Sequence, residues 1–424
     1  MLEPAFQKFY SALLALSRFQ KENDFFQNIS ALDCFLSEYR NVTFVIQKEL
    51  AHTGKIAIYE ELKVKYFGDE ISRWLVEKRN ETQKQRPFPL EKNVELNVYS
   101  REGFFIQNRK FVAENDEPYE VIIDDARNFL FSFQELEVHF SVKYIFREIG
   151  KDENILDNLS RGIHNMLLFL QEFYERISEK STIVDSLTER IMKNPFVHAP
   201  VDLLMVDDYV FNSQRQTFEK GKRMYTFALG WKPVPIAKFG EMLKIPKIDT
   251  AICVEQELAN AFFIFVVMHM GAYKRQGEIA PTFWTIDERG NMDYVMYAAS
   301  VRTTTYRIAH EISERIMQRR DIKSVFYVSE AYRYNMKDYP SILRIPHAER
   351  HKSFQTESGL VYYMFNKNGE KYVLAFAESE PMMPCAIAAK LGRLEQFAGS
   401  TTLDSIQLAF KSANEVESIS DAGV

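Results

Sequence analysis

The chain has 424 residues, of which 46% are hydrophobic and 26% charged, and this composition is typical of a globular protein rather than a disordered or fibrous one. Its formal net charge of −6 argues against a surface that binds polyanions over its whole area, but it allows a local basic patch. The start of the sequence lacks the pattern of a secretory signal, and the longest apolar run is far shorter than the ~20 residues of a membrane span. We therefore expect a cytoplasmic protein with no membrane partner.

The N-terminal part, residues 5–85, is predicted to be helical. Between residues 32 and 50, apolar side chains recur at steps of three and four, which places them on one face of a helix. Gly54 is expected to end this stretch. A second helical stretch follows, in which Asp69 is suited to cap the later half and Pro87 to end it.

Residues 94–148 have a different pattern, typical of a small β meander. The predicted strands lie at 94–99, 104–106 and 119–123. Helical periodicity returns at 155–177 and again at 181–193. The prolines that follow place a domain boundary at about 195–200.

The C-terminal half is predicted to mix helices and strands. Its elements are, in order, a helix at 251–270, a hairpin of 282–286 and 294–297, a helix at 301–320, a strand at 324–328, a hairpin of 360–365 and 372–376, and a helix at 383–396. The fold class is therefore predicted to be α+β, with a helical bundle that carries a β insertion (1–195), a mixed α/β domain (200–412) and an acidic, frayed tail (413–424).

Two helical segments carry a resemblance to a known family. They are SALDCFLSEYRNVTFVIQ at 30–47 and ISRWLVEKRN at 71–80. The N-terminal region resembles the HEPN superfamily of all-helical domains, which occur in bacterial toxins and defence nucleases. The resemblance covers residues ~1–85 and a closing helix near 155–178, and it implies a homodimer that acts on RNA.

In the HEPN family, an arginine, often followed by a polar residue such as asparagine, precedes a histidine by four to six residues. The basic residue would stabilise charge on the phosphorane and the imidazole would transfer a proton. Arg79 and Asn80 match the first half of this motif, whereas Lys84 and its two successors stand where the histidine is expected. The resemblance thus implies Arg79, Asn80 and Lys84 as catalytic residues. The surrounding basic residues, Arg73, Lys78 and Arg86, are predicted to contact nucleic acid.

Two hypotheses about function follow. The first is a bacterial or phage-associated protein of a defence or toxin system that binds or cleaves RNA, without a cofactor. The second is a non-catalytic interaction or scaffolding protein that assembles through the helical bundle with itself or with a partner. The missing histidine favours the second hypothesis, whereas the Arg79–Asn80 pair and its basic neighbours support the first.

The C-terminal half gives weaker indications of function than the N-terminal half. The strand residues Ser329-Glu330-Ala331, followed by an aromatic residue, resemble a motif of an uncharacterised bacterial α/β domain. Ser329 and Glu330 could be combined with His310 and Asp287 into a hydrolytic set, but no nucleophile-elbow motif accompanies them.

Two further features of the C-terminal half are candidates for a functional site: a pair of histidines and a second group of basic residues. His347 and His351 have helical zinc-ligand spacing, but the sequence shows no third ligand, so no metal is predicted. The basic residues of 301–324 could contact nucleic acid, although three of them lie near a helix C-terminus, where cations are stabilising on their own.

Overall fold

The protein is an α+β protein, as predicted, and its residues group by contact into two compact units. The first unit contains Met1–Leu96, Arg109–Ser132 and Val142–Val206, and the second contains Asn97–Asn108, Phe133–Ser141 and Asp207–Val424. The computed structural model describes residues 2–21, 24–51, 53–113, 119–133, 135–177, 181–197, 205–221, 234–235, 256–297, 300–319, 321–334, 336–342, 344–346, 349–350, 355–380 and 383–421.

The first unit contains seven described helices. They are α1 (Glu3–Lys21), α2 (Phe25–Leu50), α3 (Ile56–Phe67), α4 (Glu70–Lys84), α5 (Tyr119–Phe131), α6 (Ile155–Ile177) and α7 (Thr182–Met192). Neither α5 nor the break between α1 and α2 was predicted. The predicted bounds of α6 are confirmed, as is the break at Gly54. Side-chain caps fix several helix starts, because Asp24 accepts from the backbone N–H of Gln27 and Asp69 from that of Ser72 at 2.8 Å.

The core of the first unit lies among the inner faces of these helices. On α6, the rings of Phe169 and Phe173 stack 5.7 Å apart, and both side chains are fully buried. Where α6 meets α2, the Tyr39 hydroxyl donates to the carbonyl of Gly162 at 2.9 Å. Leu75 of α4 comes so close to Gly162 that a Cβ there would lie 2.5 Å from its Cδ1. The glycine therefore permits tight packing of three helices.

One sheet has five strands in the order β2-β1-β3-β4-β5. They are β1 (Leu90–Tyr99), β2 (Phe105–Ala113), β3 (Glu137–Glu148), β4 (Val206–Asn212) and β5 (Thr217–Lys220). The prediction of a strand at 119–123 is wrong, since these residues form the start of α5. A short apolar run is ambiguous between strand and helix, and this run is the first part of a 13-residue helix. The strand β3 was not predicted.

The division into units departs from the predicted domain bounds. The chain enters the second unit between Val206 and Asp207, beyond the predicted boundary at 195–200. Two stretches within 94–148 also belong to the second unit. Local composition and periodicity do not reveal which distant segment a strand pairs with, and this limits any boundary drawn from the sequence.

The second unit contains a six-stranded sheet in the order β11-β10-β9-β7-β8-β6. Its elements are β6 (Val234–Pro235), α8 (Gln256–Gln276), β7 (Thr282–Asp287), β8 (Asn291–Met296), α9 (Arg302–Arg319), β9 (Ile322–Tyr334), α10 (Tyr339–Ile342), β10 (Gln355–Asn366), β11 (Lys371–Ala377), α11 (Pro384–Leu391) and α12 (Asp404–Asp421). Both predicted hairpins are confirmed, and their strands pair antiparallel.

Both faces of this sheet are covered by helices. Trp284 and Phe326 belong to a buried cluster with α8 and α11, whereas their chain neighbours Phe283 and Val325 belong to a cluster with α9 and α12. Successive residues of a strand point to opposite faces, so the sheet lies between two layers of helices. None of the described helices is long and apolar enough to cross a membrane.

The C-terminal segment differs from its prediction. The helix predicted at 383–396 already ends at Leu391, and the supposedly frayed segment from Ala413 continues α12 to Asp421. Leu403, Ile406 and Phe410 are buried at helical spacing and anchor α12 in the core, a periodicity that the sequence analysis overlooked. Residues 251–255, at the start of the helix predicted from 251, and Arg320 lie outside the described residues.

We predict that Asp69→Ala lowers the free energy of unfolding by about 1 kcal/mol, because the start of α4 loses its cap. Burial opposes ionisation of Asp69, but hydrogen bonds from Ser72 and Asn165 outweigh it and lower the pKa of the carboxyl. Its contribution is therefore complete above the ordinary aspartate pKa and is lost as the pH falls through the lowered value. Urea unfolding at neutral and acidic pH measures both effects.

Asp69→Asn is the matched control, because asparagine is an equally good cap without a charge. It should keep most of the stability at neutral pH and lose the acid dependence that Asp69 contributes. A loss equal to that of Asp69→Ala would contradict the assignment of Asp69 as a cap.

Candidate nucleic-acid interface

The predicted site residues lie on or just after α4, and their positions around the helix separate them into groups. Ser72 and Leu75 are buried and define the inner side of α4. Arg79 lies four residues after Leu75, hence one turn further along that side, and it is half-buried. Arg73 and Lys84 lie on the opposite, exposed side. The arginine of the motif therefore points toward neighbouring helices and not directly into solvent.

The positive charge of Lys78 is balanced by carboxylates inside the first unit. Its side chain is buried, and its Nζ donates to Glu81 at 2.9 Å and to the carboxylate of Glu148. Burial disfavours the ammonium, but these two hydrogen bonds raise the pKa of Lys78 above its usual value. Lys78 is thus a permanently charged member of an internal ion-pair cluster, which Lys151 extends through a 2.8 Å contact with Glu148.

The remaining basic residues of this region differ in their partners. Arg86 is exposed and donates through Nε and Nη2 to one oxygen of Glu81, at 3.1 and 2.9 Å. Within the described residues, the side chains of Arg73 and Lys84 have neither a hydrogen bond nor an ion pair. Arg73 and Lys84 therefore present charge that another molecule can reach.

Arg79 lies beside the same aromatic ring as Arg40, a residue that the sequence analysis did not identify. The guanidinium carbon of Arg40, on α2, lies 4.1 Å from the centre of the Phe44 ring, and that of Arg79 lies 5.6 Å from the same ring. Phe44 is 41% exposed. Each guanidinium is attracted to the ring. We call Arg40, Phe44 and Arg79, with their neighbours Asn80 and Tyr59, the arginine-pair site.

The two guanidiniums have only neutral hydrogen-bond partners among the described residues. Arg40 donates to the Thr43 hydroxyl, and Arg79 Nη1 donates to Asn80 Oδ1 at 3.2 Å. No carboxylate in this part of the chain lies within 4.0 Å of either group. Burial lowers the pKa of Arg40, and the positive charge of Arg79 lowers it further. The site therefore holds two positive charges that repel each other and lack a counter-charge.

Two polar atoms of the arginine-pair site are buried, Arg79 Nε and the Tyr59 hydroxyl, and the hydroxyl interacts with the side chains of Thr43 and Gln47. Arg79 Nε has no hydrogen bond of acceptable geometry to a described residue. Burial raises the pKa of Tyr59 to about 12. Both atoms are donors at neutral pH, and such donors usually find an acceptor when they are buried.

The imidazole that the family motif requires is not found beside these groups. No histidine of the described residues forms a hydrogen bond or ion pair with Arg79, Asn80 or Lys84. Lys84, at the position of the expected histidine, is exposed. The arrangement can hold an anion, but it has no group suited to accept a proton near neutral pH.

The hydrolytic set considered for the second unit is held by other contacts. Asp287 accepts two backbone N–H groups of its own turn, from Arg289 and Asn291, at 2.9 and 2.7 Å. Glu330 accepts from the backbone of Ile279, and the ring of His310 stacks on Phe105. Asp287, Glu330 and His310 are thus each engaged in a structural contact of their own.

The histidines considered as metal ligands cannot be placed, and two arginines of α9 are engaged in ion pairs. His347 and His351 lie outside the described residues. Among the residues that the structure does describe, no group of three or more histidine, cysteine, aspartate or glutamate side chains could hold a metal ion. On α9, Arg307 binds both oxygens of Asp208, at 2.9 and 3.1 Å, and Arg315 contacts Asp293.

Sequence reasoning missed Arg40, Phe44 and Tyr59. A usable signal was present, since Arg40 and Phe44 are four residues apart on α2, inside one of the segments that carry the family resemblance. Their four-residue spacing places an arginine and an exposed aromatic ring on one helix face. What the sequence could not show is that Arg79 of α4 reaches the same ring.

Comparison of the chain with protein-family models, with curated proteins and with solved structures finds no match. The resemblance to HEPN domains therefore stays a prediction that depends on the residues quoted above.

We predict that Lys78→Ala lowers the free energy of unfolding by about 1–3 kcal/mol, because it leaves a buried Glu148 without one of its charged partners. Lys84→Ala, on the exposed side of the same helix, should leave stability within about 0.5 kcal/mol of the unmodified chain. Chemical denaturation of the two variants side by side measures the difference. Equal stability of both variants would show that Lys78 is not structural.

Proposed function

We propose that this protein binds RNA at the arginine-pair site and does not cleave it. The observation that carries the proposal is that two half-buried guanidiniums, from α2 and α4, lie over one exposed phenylalanine ring without a carboxylate partner among the described residues. The bound group is the phosphate of the RNA backbone.

Electrostatics supports an anionic ligand. Two partly buried positive charges without a counter-charge destabilise the folded chain, and an anion that enters between them removes that penalty. The planar fork of a guanidinium matches the geometry of phosphate oxygens and can bind them in pairs. Arg40 and Arg79 approach from different helices, so they can bind one phosphate group from two directions.

Other features of this surface favour a nucleic acid over a small anion. The exposed part of the Phe44 ring offers an apolar surface for a base of a single strand. The resemblance of this region to RNA-acting HEPN domains supports RNA over DNA.

The missing histidine argues for binding without cleavage. Transfer of a proton from a ribose hydroxyl requires a group that is partly unprotonated near neutral pH. Lysine in solvent does not satisfy that requirement, and the hydroxyl of Tyr59 is protonated because burial raises its pKa. A role in a bacterial defence or toxin system, and assembly as a homodimer, belong to this proposal through the family resemblance.

We predict that Arg40→Ala and Arg79→Ala each weaken binding of single-stranded RNA about tenfold, because each removes a charge-assisted contact to phosphate. Each variant should also reduce the slope of log affinity against log salt by about 0.7, the value for one phosphate contact of a single strand. Fluorescence anisotropy with a labelled oligonucleotide at several salt concentrations measures both quantities.

Arg176→Ala is the matched control for this experiment. Arg176 belongs to the same unit, but its guanidinium is already bound by Glu61 and Glu172, at 2.8 and 2.6 Å. Its removal should leave RNA affinity unchanged. Failure of the unmodified protein to bind RNA would reject the proposal and favour the scaffolding hypothesis.

We predict that labelled total RNA stays intact after incubation with the purified protein, with or without divalent metal ions, because no group at the site can act as a general base. Gel electrophoresis over a time course is the measurement. Cleavage that disappears in the Arg79→Ala Asn80→Ala double variant would contradict this prediction and show a nuclease with an altered base.

A further inference from the structure

The strand β2 is an edge strand of the five-stranded sheet. It comes first in the strand order, so it has a neighbour, β1, on one side only. Residues 105–110 of β2 are all exposed, although successive residues of a strand point to opposite faces of the sheet. Another molecule can therefore reach both faces of this part of β2. An exposed edge of this kind can pair with a further extended chain.

The outer edge of β2 presents the backbone groups of alternate residues. In the turn between β1 and β2, the Ser100 amide donates to the Phe104 carbonyl at 2.7 Å, which makes these two residues a hydrogen-bonded pair of the hairpin. Such pairs alternate along an antiparallel ladder, so Gln107 and Arg109 direct their N–H and C=O groups away from β1. Neither residue has a backbone hydrogen bond outside the sheet within the described part of the chain.

Two cations of β2 lack a counter-charge among the described residues. Arg109 and Lys110 are exposed, and no described carboxylate lies within 4.0 Å of either side chain. The guanidinium carbon of Arg109 lies 5.1 Å from the centre of the Phe111 ring and 5.2 Å from that of Phe129. Both rings attract the guanidinium and restrict it before a ligand arrives, which lowers the entropy cost of binding a carboxylate.

We infer that the outer edge of β2 binds an extended, acidic peptide segment of a partner protein, which adds one strand to the sheet. The backbone of this segment hydrogen-bonds to the outward groups of Gln107 and Arg109. Because Arg109 and Lys110 point to opposite faces, two consecutive acidic residues of the segment lie beside them, one on each face. The inference goes beyond the proposed function, since it concerns a different surface and does not depend on RNA.

The chemistry of this edge favours an acidic peptide over other occupants. A row of N–H and C=O groups matches the backbone of another strand, whereas the backbone of a nucleic acid has no such repeat of donors and acceptors. A second copy of β2 would bring Arg109 and Lys110 of two chains close together, and like charges on neighbouring strands are destabilising. Phe105 and Ile106, 38% and 44% exposed, can contact apolar residues of the same peptide.

The test uses two labelled peptides of nine residues, the length of β2, with blocked ends. Both consist of valine and threonine, which favour extended chains, except for two consecutive positions that are glutamates in one peptide and lysines in the other. We expect the full-length protein to bind the glutamate peptide about tenfold more tightly in fluorescence anisotropy. Arg109→Ala should remove most of this preference. Arg127→Ala is the control and should keep it, because Arg127 already pairs with Asp124 at 3.1 Å.

Two variants of Gln107 distinguish backbone pairing from simple charge attraction. Gln107→Pro removes an outward N–H without loss of a bond to β1, and proline is tolerated at such positions of edge strands. It should weaken binding of the glutamate peptide at least about fivefold, the effect of one lost hydrogen bond. Gln107→Ala keeps the N–H and should keep the affinity.

Hydrogen exchange gives a second readout on the unmodified protein. The bound glutamate peptide should slow exchange of the Gln107 and Arg109 amides. Binding without this protection, equal affinity for the two peptides, or displacement of the peptide by single-stranded RNA would each overturn the inference. Absence of binding by either peptide would also overturn it, while the proposed RNA binding at the arginine-pair site would stand.

Discussion

The close packing of α4 against α2 and α6 is the constraint on which the arginine-pair site depends. Gly162 leaves room for the end of the Leu75 side chain, and the carbonyl of the same glycine accepts a hydrogen bond from the Tyr39 hydroxyl of α2. Arg79 lies one helical turn beyond Leu75, and Arg40 is the chain neighbour of Tyr39. The three-helix contact therefore places two arginines of distant sequence position beside the same ring, although their charges repel each other.

The partners of each cation, and not the number of basic residues, distinguish the proposed binding residues from the structural ones. The segment around α4 is rich in Lys and Arg, yet Lys78 is neutralised by Glu81 and Glu148, and Arg86 by Glu81. A count of charges along the sequence treats these residues and Arg79 alike. The structure separates them, because an already paired cation gains little from a phosphate, whereas Arg79 has no carboxylate partner among the described residues.

Much of the architecture could be predicted from the sequence, because it depends on local patterns. The bounds of α6, the cap at Asp69 and the two hairpins follow from periodicity and turn chemistry. The run at 119–123 was assigned to a strand because five residues are too few to distinguish the two periods. Two of the five residues of the arginine-pair site, Arg79 and Asn80, were predicted. Arg40, Phe44 and Tyr59 were missed because their proximity to Arg79 arises from packing between helices, which no local pattern encodes.

The protonation of the arginine-pair site is the reason why we propose binding without cleavage. A guanidinium is a donor without an acceptor atom, and burial keeps the Tyr59 hydroxyl protonated at neutral pH. The neutral oxygens nearby are already used, since Thr43 accepts from Arg40 and Asn80 Oδ1 accepts from Arg79. The two guanidiniums of the arginine-pair site can therefore only donate hydrogen bonds to a ligand. Such a set stabilises negative charge on a phosphate, but it cannot take the proton that a ribose hydroxyl must lose before it attacks the phosphorus.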